Sequence, residues 1–229
     1  MNTSLSKRTK KVTMLAMFSA LAFITTFLCS FVPKVAGFLS LEIKDAVITL
    51  CALLFGPVSG LVIAVIVPLI ESFTISATGW YGLIMNVLSS ATFCVVAGVI
   101  YKYKRSFYGA VVALVAGVFS VTAVMMVANL FITPLYLTMI GVPSTMGDVA
   151  KMIPTILLPF NFLKATLNAS LVLLIYKPIS KAIKRAKILD NASLEVTNIQ
   201  TNNKKTVLVS IISLAIIVVS VVLIFTVLN

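Results

Sequence analysis

The chain has 229 residues, of which 60% are hydrophobic and only 10% are charged, and its mean hydropathy is +1.14. A soluble domain carries about 25% charged residues, so this composition excludes a globule that presents its surface to water. The formal net charge is +12. The positions of the lysines and arginines along the chain indicate whether this charge binds nucleic acid or lies beside lipid headgroups.

Long apolar segments predict an all-α, polytopic bundle of transmembrane helices. The uncharged run 12–32 reaches the roughly 20 residues that a spanning helix needs, and it exceeds the apolar region of a secretory signal, about 7–15 residues, so we expect it to be retained. The second segment is short and ends at Gly56-Pro57, so it forms either a tight hairpin with the third or one broken helix. The seven predicted segments lie near residues 12–32, 46–56, 58–73, 82–101, 108–130, 152–176 and 206–228.

The lysines and arginines lie mostly on one side of the predicted membrane. With a cytoplasmic N-terminus, fourteen of the eighteen fall on the cytoplasmic side, as the positive-inside rule expects. The four exceptions are Lys34, Lys44, Lys151 and the intramembrane Lys164. We therefore predict a multi-pass protein of the plasma membrane whose basic charge meets lipid headgroups, with no nucleic-acid partner.

The same pattern divides the chain into three parts. Residues 1–187 are predicted to form a six-helix, membrane-embedded substrate-binding domain, 188–205 a polar linker, and 206–229 an additional C-terminal transmembrane helix that faces lipid. The Pro/Gly-rich stretches 33–45 and 131–151 are expected to be external loops that act as lids over a cavity.

Polar side chains inside the predicted helices mark a candidate site. An ionised group near the bilayer centre costs roughly 2.5–3.5 kcal/mol on the insertion scale, so Lys164 needs partners. Asn161 and Asn168 lie three and four residues away, on the same helical face. The topology brings Asn86, Asn129 and Glu71 to the same outer layer; these residues form either a ligand site open to the outside or hydrogen-bonded contacts between helices. Pro159 is expected to kink this segment.

Carboxamides suit one class of ligand. Each offers two donors and an acceptor, which matches a planar heterocycle whose edge alternates C=O and N–H. Four aromatic residues near the same membrane layer could stack on the faces of such a ligand: Trp80, Tyr81, Tyr136 and Phe160. A membrane aromatic belt explains Trp80 and Tyr81 equally well.

Catalytic machinery is not expected. The sequence has no histidine and no GxxxxGK[ST] phosphate loop, and its three cysteines (Cys29, Cys51 and Cys94) sit in apolar segments without metal-binding spacing. We expect no enzyme activity, no metal and no resident cofactor. Ala16 and Ala20 form a small-xxx-small pair, which lets another helix approach closely, either in this bundle or in a separate subunit.

Four motifs occur in an order that resembles a known family. They are Leu41-Glu42-Ile43-Lys44-Asp45, Leu54-Phe55-Gly56-Pro57-Val58-Ser59-Gly60, Asn129 with Pro134-Leu135-Tyr136, and Leu158-Pro159-Phe160-Asn161-Phe162-Leu163-Lys164. Together they resemble the substrate-binding S components of energy-coupling factor (ECF) transporters, most closely the riboflavin type, over residues 12–187. The run Leu-Glu-Ile-Lys-Asp replaces the Leu/Ile-Asp-Phe-Ser-Asp usual in riboflavin members, and the last helix is one that typical members lack.

The resemblance implies a six-helix fold that holds a vitamin near the extracellular side, under loops. It implies a transported flavin as the ligand, and as partners a transmembrane coupling protein and two cytoplasmic ATPases. Ala16 and Ala20 match the motif that faces the coupling protein. Asn129, Asn161 and Lys164 match flavin-contacting positions, and the full set of expected substrate-binding residues is Asp45, Asn86, Asn129, Tyr136, Asn161, Lys164 and Asn168.

Three alternatives to this interpretation stay open. One is an S component for a different vitamin. Another is a self-contained secondary transporter for a small polar metabolite, with Glu71 or Lys164 as its proton-linked group. The last is a non-transporting scaffold whose amides only join helices.

Overall fold

The computed structural model describes residues 3–76, 78–185 and 203–227, and within these ranges the protein is a bundle of α-helices. A π-helical turn, Ile153–Leu157, joins the sixth helix to the seventh. The helices are α1 (Thr3–Cys29), α2 (Lys44–Phe55), α3 (Pro57–Thr74), α4 (Gly79–Tyr103), α5 (Phe107–Met139), α6 (Met146–Met152), α7 (Leu158–Arg185) and α8 (Asn203–Val227).

The prediction of an all-α, polytopic membrane bundle is confirmed. In the described ranges, six helical segments are long and apolar enough to cross a bilayer: Arg8–Cys29, Pro57–Thr74, Gly79–Tyr103, Phe107–Met139, Met146–Ser180 and Leu208–Thr226. With 12 residues, α2 is only about 18 Å long at 1.5 Å per residue, well short of the roughly 30 Å hydrocarbon core.

The helices α2 and α3 form a tight antiparallel hairpin, which is one of the two arrangements that the sequence left open. Gly56 turns the chain with φ +95°, in the left-handed region that favours glycine, and Pro57 begins α3. Gly60 then lies so close to α2 that a Cβ placed on it would be 2.5 Å from the Cβ of Ala52. A Cβ placed on Gly98 of α4 would likewise lie 3.1 Å from the Cα and Cβ of Pro57.

One predicted loop is mostly helical. The external loop expected over 131–151 is wrong in its first part, because α5 continues through Pro134 to Met139, and the short helix α6 follows at Met146. A proline is tolerated inside a membrane helix where neighbouring groups re-satisfy the freed backbone carbonyl. The longer α5 places Asn129 ten residues before the helix end, inside the bundle.

The interruption expected at Pro159 lies one turn earlier than predicted. The π-helical turn Ile153–Leu157 ends directly before α7, and the N–H of Leu158 donates to the carbonyl of Ile153. After this turn α7 runs as one α-helix from Leu158 to Arg185. Asn161, Lys164 and Asn168 therefore share a single helical register, as their spacing predicts.

Helix termini at one end of the bundle surround a cavity, and we call this the cavity end. The ends of α1, α3 and α5 meet there with the starts of α2, α4 and α7 and with the 30–43 connection. A buried apolar cluster, the cavity-end cluster, lies beside the cavity and is separate from the central core of the bundle. Its members are Val35, Leu39, Leu41, Leu137, Val149, Leu157, Phe160 and Ile224.

The last helix, α8, packs on α7. Ser213 and Ser220 are each 2% exposed and Ile224 is fully buried, whereas Ile211 and Val218 are exposed, which suits a surface that faces lipid. The predicted helix 206–228 thus corresponds to Asn203–Val227. The predicted linker 188–205 lies almost entirely outside the described residues.

Candidate functional site

The cavity at the cavity end has a volume of about 320 Å³, within the range of about 300–1,000 Å³ common for small-molecule sites. Five of the seven substrate-binding residues that the sequence predicts contribute to its wall: Asn86, Asn129, Tyr136, Asn161 and Lys164. They come from α4, α5 and α7. The structure thus brings side chains from three separate helices to one small cavity.

Asn129 and Asn161 are buried and keep hydrogen-bonding capacity free for a ligand. The Asn129 amide donates to the carbonyl of Met125 at 2.7 Å and its oxygen accepts from Thr133 at 2.9 Å, while the Asn161 amide donates to the carbonyl of Leu157 at 2.8 Å. In the described part of the chain the Asn129 bonds stay within α5, and the Asn161 bond reaches back one turn to the end of the π-helical turn before α7. They therefore orient the carboxamides without joining helices, and each group retains a donor and acceptor capacity.

Lys164 has the partner that its position in the membrane requires. Its Nζ lies 3.2 Å from Oε2 of Glu42, in the 30–43 connection, and its side chain is 11% exposed. The same carboxylate oxygen lies 3.1 Å from Nζ of Lys44. Lys44 also forms an ion pair with Glu71, whose other oxygen accepts from the Asn86 amide at 3.0 Å. These five residues form a continuous chain of charges and amides across one side of the cavity, which we call the charge chain.

Glu42 is held in its ionised form by its neighbours. Burial by itself would raise the pKa of the Glu42 carboxyl, but the charges of Lys164 and Lys44 and their hydrogen bonds outweigh that effect and lower the pKa to about 2. Glu42 as a whole is only 5% exposed. A carboxylate shared by two ammonium groups makes this side of the cavity polar but nearly balanced in charge.

Two predicted site residues lie outside the cavity wall. Asn168 donates to the backbone carbonyls of Glu42 and Lys164, at 2.9 Å each, and accepts from the N–H of Ala46 at 2.8 Å. Its donors are thus fully used, and it ties the 30–43 connection and the start of α2 to α7. Asp45 is 4% exposed and accepts from Ser89 and Ser90 of α4. In both cases the observed contacts join helices, which is the alternative that the sequence left open.

Aromatic rings also contribute to the wall of the cavity. Tyr136 lies between Phe38 and Tyr81, with ring centroids 6.5 Å and 6.3 Å apart, and Phe160 also faces the volume. Trp80 does not, because it is 67% exposed and stacks edge-on with Phe73 at the bundle surface. The position of Trp80 suits a membrane belt, whereas that of Tyr81 suits a stacking surface.

The sequence did not single out several polar groups at the mouth of the cavity. Ser30 and Ser40 contribute hydroxyls from the 30–43 connection, and Ser76 and Thr78 contribute them from the turn before α4. Lys44 was also missed as part of the site. The sequence feature that could have identified Lys44 is a second charged residue, two positions after Glu42, in an otherwise apolar run before a short helix.

Ala16 and Ala20 lie on a different surface. Both are exposed on α1, whereas Met14, Phe18 and Ala22 of the same helix are buried in the core. Packing within the bundle, one of the two interpretations of this pair, is therefore not what the structure contains. In the described part of the chain, both alanines therefore lie on the exposed face of α1.

The cavity can hold a planar, mostly uncharged ring system. Amide donors and acceptors meet it at Asn129 and Asn161, a cation stands beside them at Lys164, aromatic faces lie at Tyr81 and Tyr136, and hydroxyls surround the mouth. Hydrogen bonds to such buried groups give specificity, because a ligand that lacks the matching atoms leaves them unpaired.

Known proteins to which this chain is similar in sequence have consistent descriptions. The chain matches, over residues 10–176, a family described as "ECF transporter, substrate-specific component". It is 28% identical over 184 residues to "Riboflavin transporter RibU" of Staphylococcus aureus (strain TCH60), covering 78% of this chain and 95% of that protein. It is 24% identical over 178 residues to "Riboflavin transporter FmnP" of Bacillus subtilis (strain 168), covering 75% and 94%.

A solved structure agrees with these relatives. The protein described as "Structure and mechanism of the S component of a bacterial ECF transporter" superposes with a TM-score of 0.64 at 28% identity, covering 78% of this chain and 99% of that one. Because the family match spans well over half of the residues, and because the fold agrees with it, the chain belongs to the S components of ECF transporters, the membrane-embedded, substrate-specific subunits of these systems.

Proposed function

We propose that this S component binds riboflavin, or a closely related flavin, for uptake into the cell. The observation that carries the proposal is the pair of carboxamides, Asn129 and Asn161, which line the cavity beside Lys164 with hydrogen-bonding capacity free. The pyrimidine edge of a flavin alternates C=O and N–H, so it pairs with amides and with a nearby ammonium. Both named relatives are described as riboflavin transporters.

The remaining walls fit the other parts of such a ligand. Tyr81, Tyr136 and Phe160 offer faces for a fused aromatic ring. The hydroxyls of Ser30, Ser40, Ser76 and Thr78 can exchange hydrogen bonds with a polyol chain at the mouth. The cavity end then faces the outside and the N-terminus lies in the cytoplasm, which agrees with the cation distribution.

Transport is expected to require other subunits. A transmembrane coupling protein and two cytoplasmic ATPases, the partners that the family implies, would supply the energy, and the exposed Ala16 and Ala20 are the proposed contact with the coupling protein. No catalytic residue is assigned to this chain, and a flavin would be cargo instead of a cofactor.

A titration tests the ligand directly. Flavin fluorescence is quenched when the ring stacks on tyrosine, so adding the purified protein to submicromolar riboflavin should quench it to a saturating end point. A thermal-shift comparison across the water-soluble vitamins then ranks the ligands, since a ligand at a hundred times its Kd stabilises by about 2.7 kcal/mol. A shift with another vitamin and none with riboflavin would contradict the flavin assignment.

Reconstitution separates the proposal from a self-contained transporter. Vesicles that contain this chain alone should bind riboflavin without accumulating it, and accumulation should appear only when the coupling protein, the ATPases and ATP are present. Uptake by the chain alone, driven by a proton gradient, would favour a secondary transporter.

A further inference from the structure

The last helix, α8, has a buried face that its apolar composition does not predict. Ser213, Ser220 and Ile224 are spaced by seven and four residues, so they lie on one face of α8, and all three are buried. Small side chains such as serine let membrane helices approach closely. α8 therefore packs closely on α7 through this face, while bulkier side chains such as Ile211 and Val218 are exposed on its other faces.

The end of α8 reaches the cavity-end cluster. Ile224 is 0% exposed and belongs to that cluster, and Phe225 packs against it. Two other members, Leu39 and Phe160, line the cavity itself. A third, Leu157, supplies the carbonyl that orients the Asn161 amide. A single apolar cluster thus joins α8 to the wall, the loop and one of the amides of the site.

We infer that α8 is a buttress for the ligand site and that Ile224 is a positioning residue for the bound vitamin, acting through the cavity-end cluster without touching the ligand. This helix lies beyond residues 10–176, the part of the chain that matches the family. The inference rests on the proposed function for its choice of ligand. It assigns the added helix a role in affinity and not only in anchoring.

The physical reason is that Ile224 is fully buried within the cavity-end cluster. Removing the methyl and methylene groups of a buried isoleucine leaves a void that the surroundings fill only in part. The atoms free to move into this void belong to Phe160, Leu157 and the 30–43 connection, which together set the shape of the cavity. Their displacement weakens ligand binding even where the bundle stays folded.

The test uses the full-length protein and two matched variants. Ile224→Ala changes the cluster, and Ile211→Ala makes the same substitution at an exposed position of the same helix. Riboflavin is titrated by fluorescence quenching on monodisperse protein, and its dissociation rate is measured. We expect roughly tenfold weaker binding for Ile224→Ala, mostly through faster dissociation, with Ile211→Ala unchanged and Ile224→Val between the two.

A ligand-free measurement keeps the outcomes separate. Cys29 lines the cavity, whereas Cys51 and Cys94 are fully buried, so maleimide labelling of Cys29, located by peptide mass, reports how firmly the loop closes. Labelling should be several-fold faster in Ile224→Ala than in Ile211→Ala. Equal labelling rates in the two variants, or equal riboflavin affinities, would overturn the inference. If the wild-type protein binds no riboflavin, the flavin proposal fails, and the labelling rates alone decide the role of α8.

Discussion

The ammonium of Lys164 lies 3.2 Å from Oε2 of Glu42, which belongs to the 30–43 connection that lines the cavity. The charge chain therefore begins at a cavity-lining residue of α7 and continues directly into the 30–43 connection. A ligand that contacts Lys164 would therefore be one hydrogen bond away from the 30–43 connection.

Substituting Lys44 should destabilise the bundle strongly. Lys44→Met removes the cation that stands between Glu42 and Glu71 and leaves two buried carboxylates without it. Breaking a buried pair by removing one partner costs about 3–5 kcal/mol, which melting of the ligand-free protein in detergent can resolve. Lys34→Met, at an exposed position, is the control. Equal melting temperatures for the two variants would show that the charge chain contributes little.

Substitutions at Asn161 and Lys164 in the cavity wall should weaken riboflavin binding, and Lys164→Met should also lower stability, because it removes an ion-pair partner of the buried Glu42 carboxylate. Asn161→Ala and Lys164→Met each remove a partner for a buried polar edge, at a cost of about 1–3 kcal/mol, or roughly 5- to 150-fold in the Kd for riboflavin. Thr166→Ala is the matched control on α7, because its hydroxyl bonds only the carbonyl of Phe162. Wild-type affinity in both site variants would place the flavin elsewhere.

Substituting Asn168 should affect stability more than affinity. Asn168→Ala removes three hydrogen bonds that tie Glu42, Ala46 and Lys164 together, and the buried groups it leaves unpaired cost about 1–3 kcal/mol. We expect a clear fall in the melting temperature without ligand, larger than that of Asn161→Ala. A variant that melts like the wild type but binds flavin poorly would instead make Asn168 a ligand contact.

Acid should weaken the fold through Glu42. The folded pKa of about 2 lies below the ordinary value of 4.5, so the stabilisation from this group is fully present above pH 4.5 and is lost as the pH falls from 4.5 towards 2. The full effect is on the order of 3 kcal/mol. Melting temperatures at pH 6 and pH 3.5 should differ more for the wild type than for Glu42→Gln. An identical difference would assign the acid sensitivity to other carboxylates.

Bulk on the exposed face of α1 should block assembly without changing the ligand site. Replacing Ala16 and Ala20 together by tryptophan obstructs close helix contact, so the coupling protein should no longer co-purify while riboflavin affinity stays at the wild-type value. Val218→Trp adds bulk at an exposed position of α8 and serves as the control. Retention of the complex by the alanine variant would move the interface to another face.

Local features could be predicted well, and tertiary partners could not. Gly56-Pro57 determines the turn between α2 and α3, so those helices begin and end within two residues of the predicted bounds. The spacing of Asn161 and Lys164 put them on one helical face, where they are found. The end of α5 was missed by nine residues, because Pro134 stops helices in water more often than in membranes.

The distinction between Asn161 and Asn168 shows where such reasoning stops. Both lie on the same face of α7, yet one meets an open volume and the other meets the backbone of Glu42 and Ala46. What stands opposite a side chain depends on the loop packed there. In the same way, Lys44 and Glu71 are 27 residues apart, and no local pattern pairs them.

Glycine contacts pack the helices tightly at the end of the bundle opposite the cavity. Where α2, α3 and α4 cross, Gly60 and Gly98 approach Ala52 and Pro57 so closely that not even a methyl group would fit without displacing a neighbour. Within the described residues, this close packing separates the cavity from the far end of the bundle at the crossing of α2, α3 and α4. A solute held at the cavity end could pass this crossing only if these helices moved apart, at the cost of the contacts that Gly60 and Gly98 make.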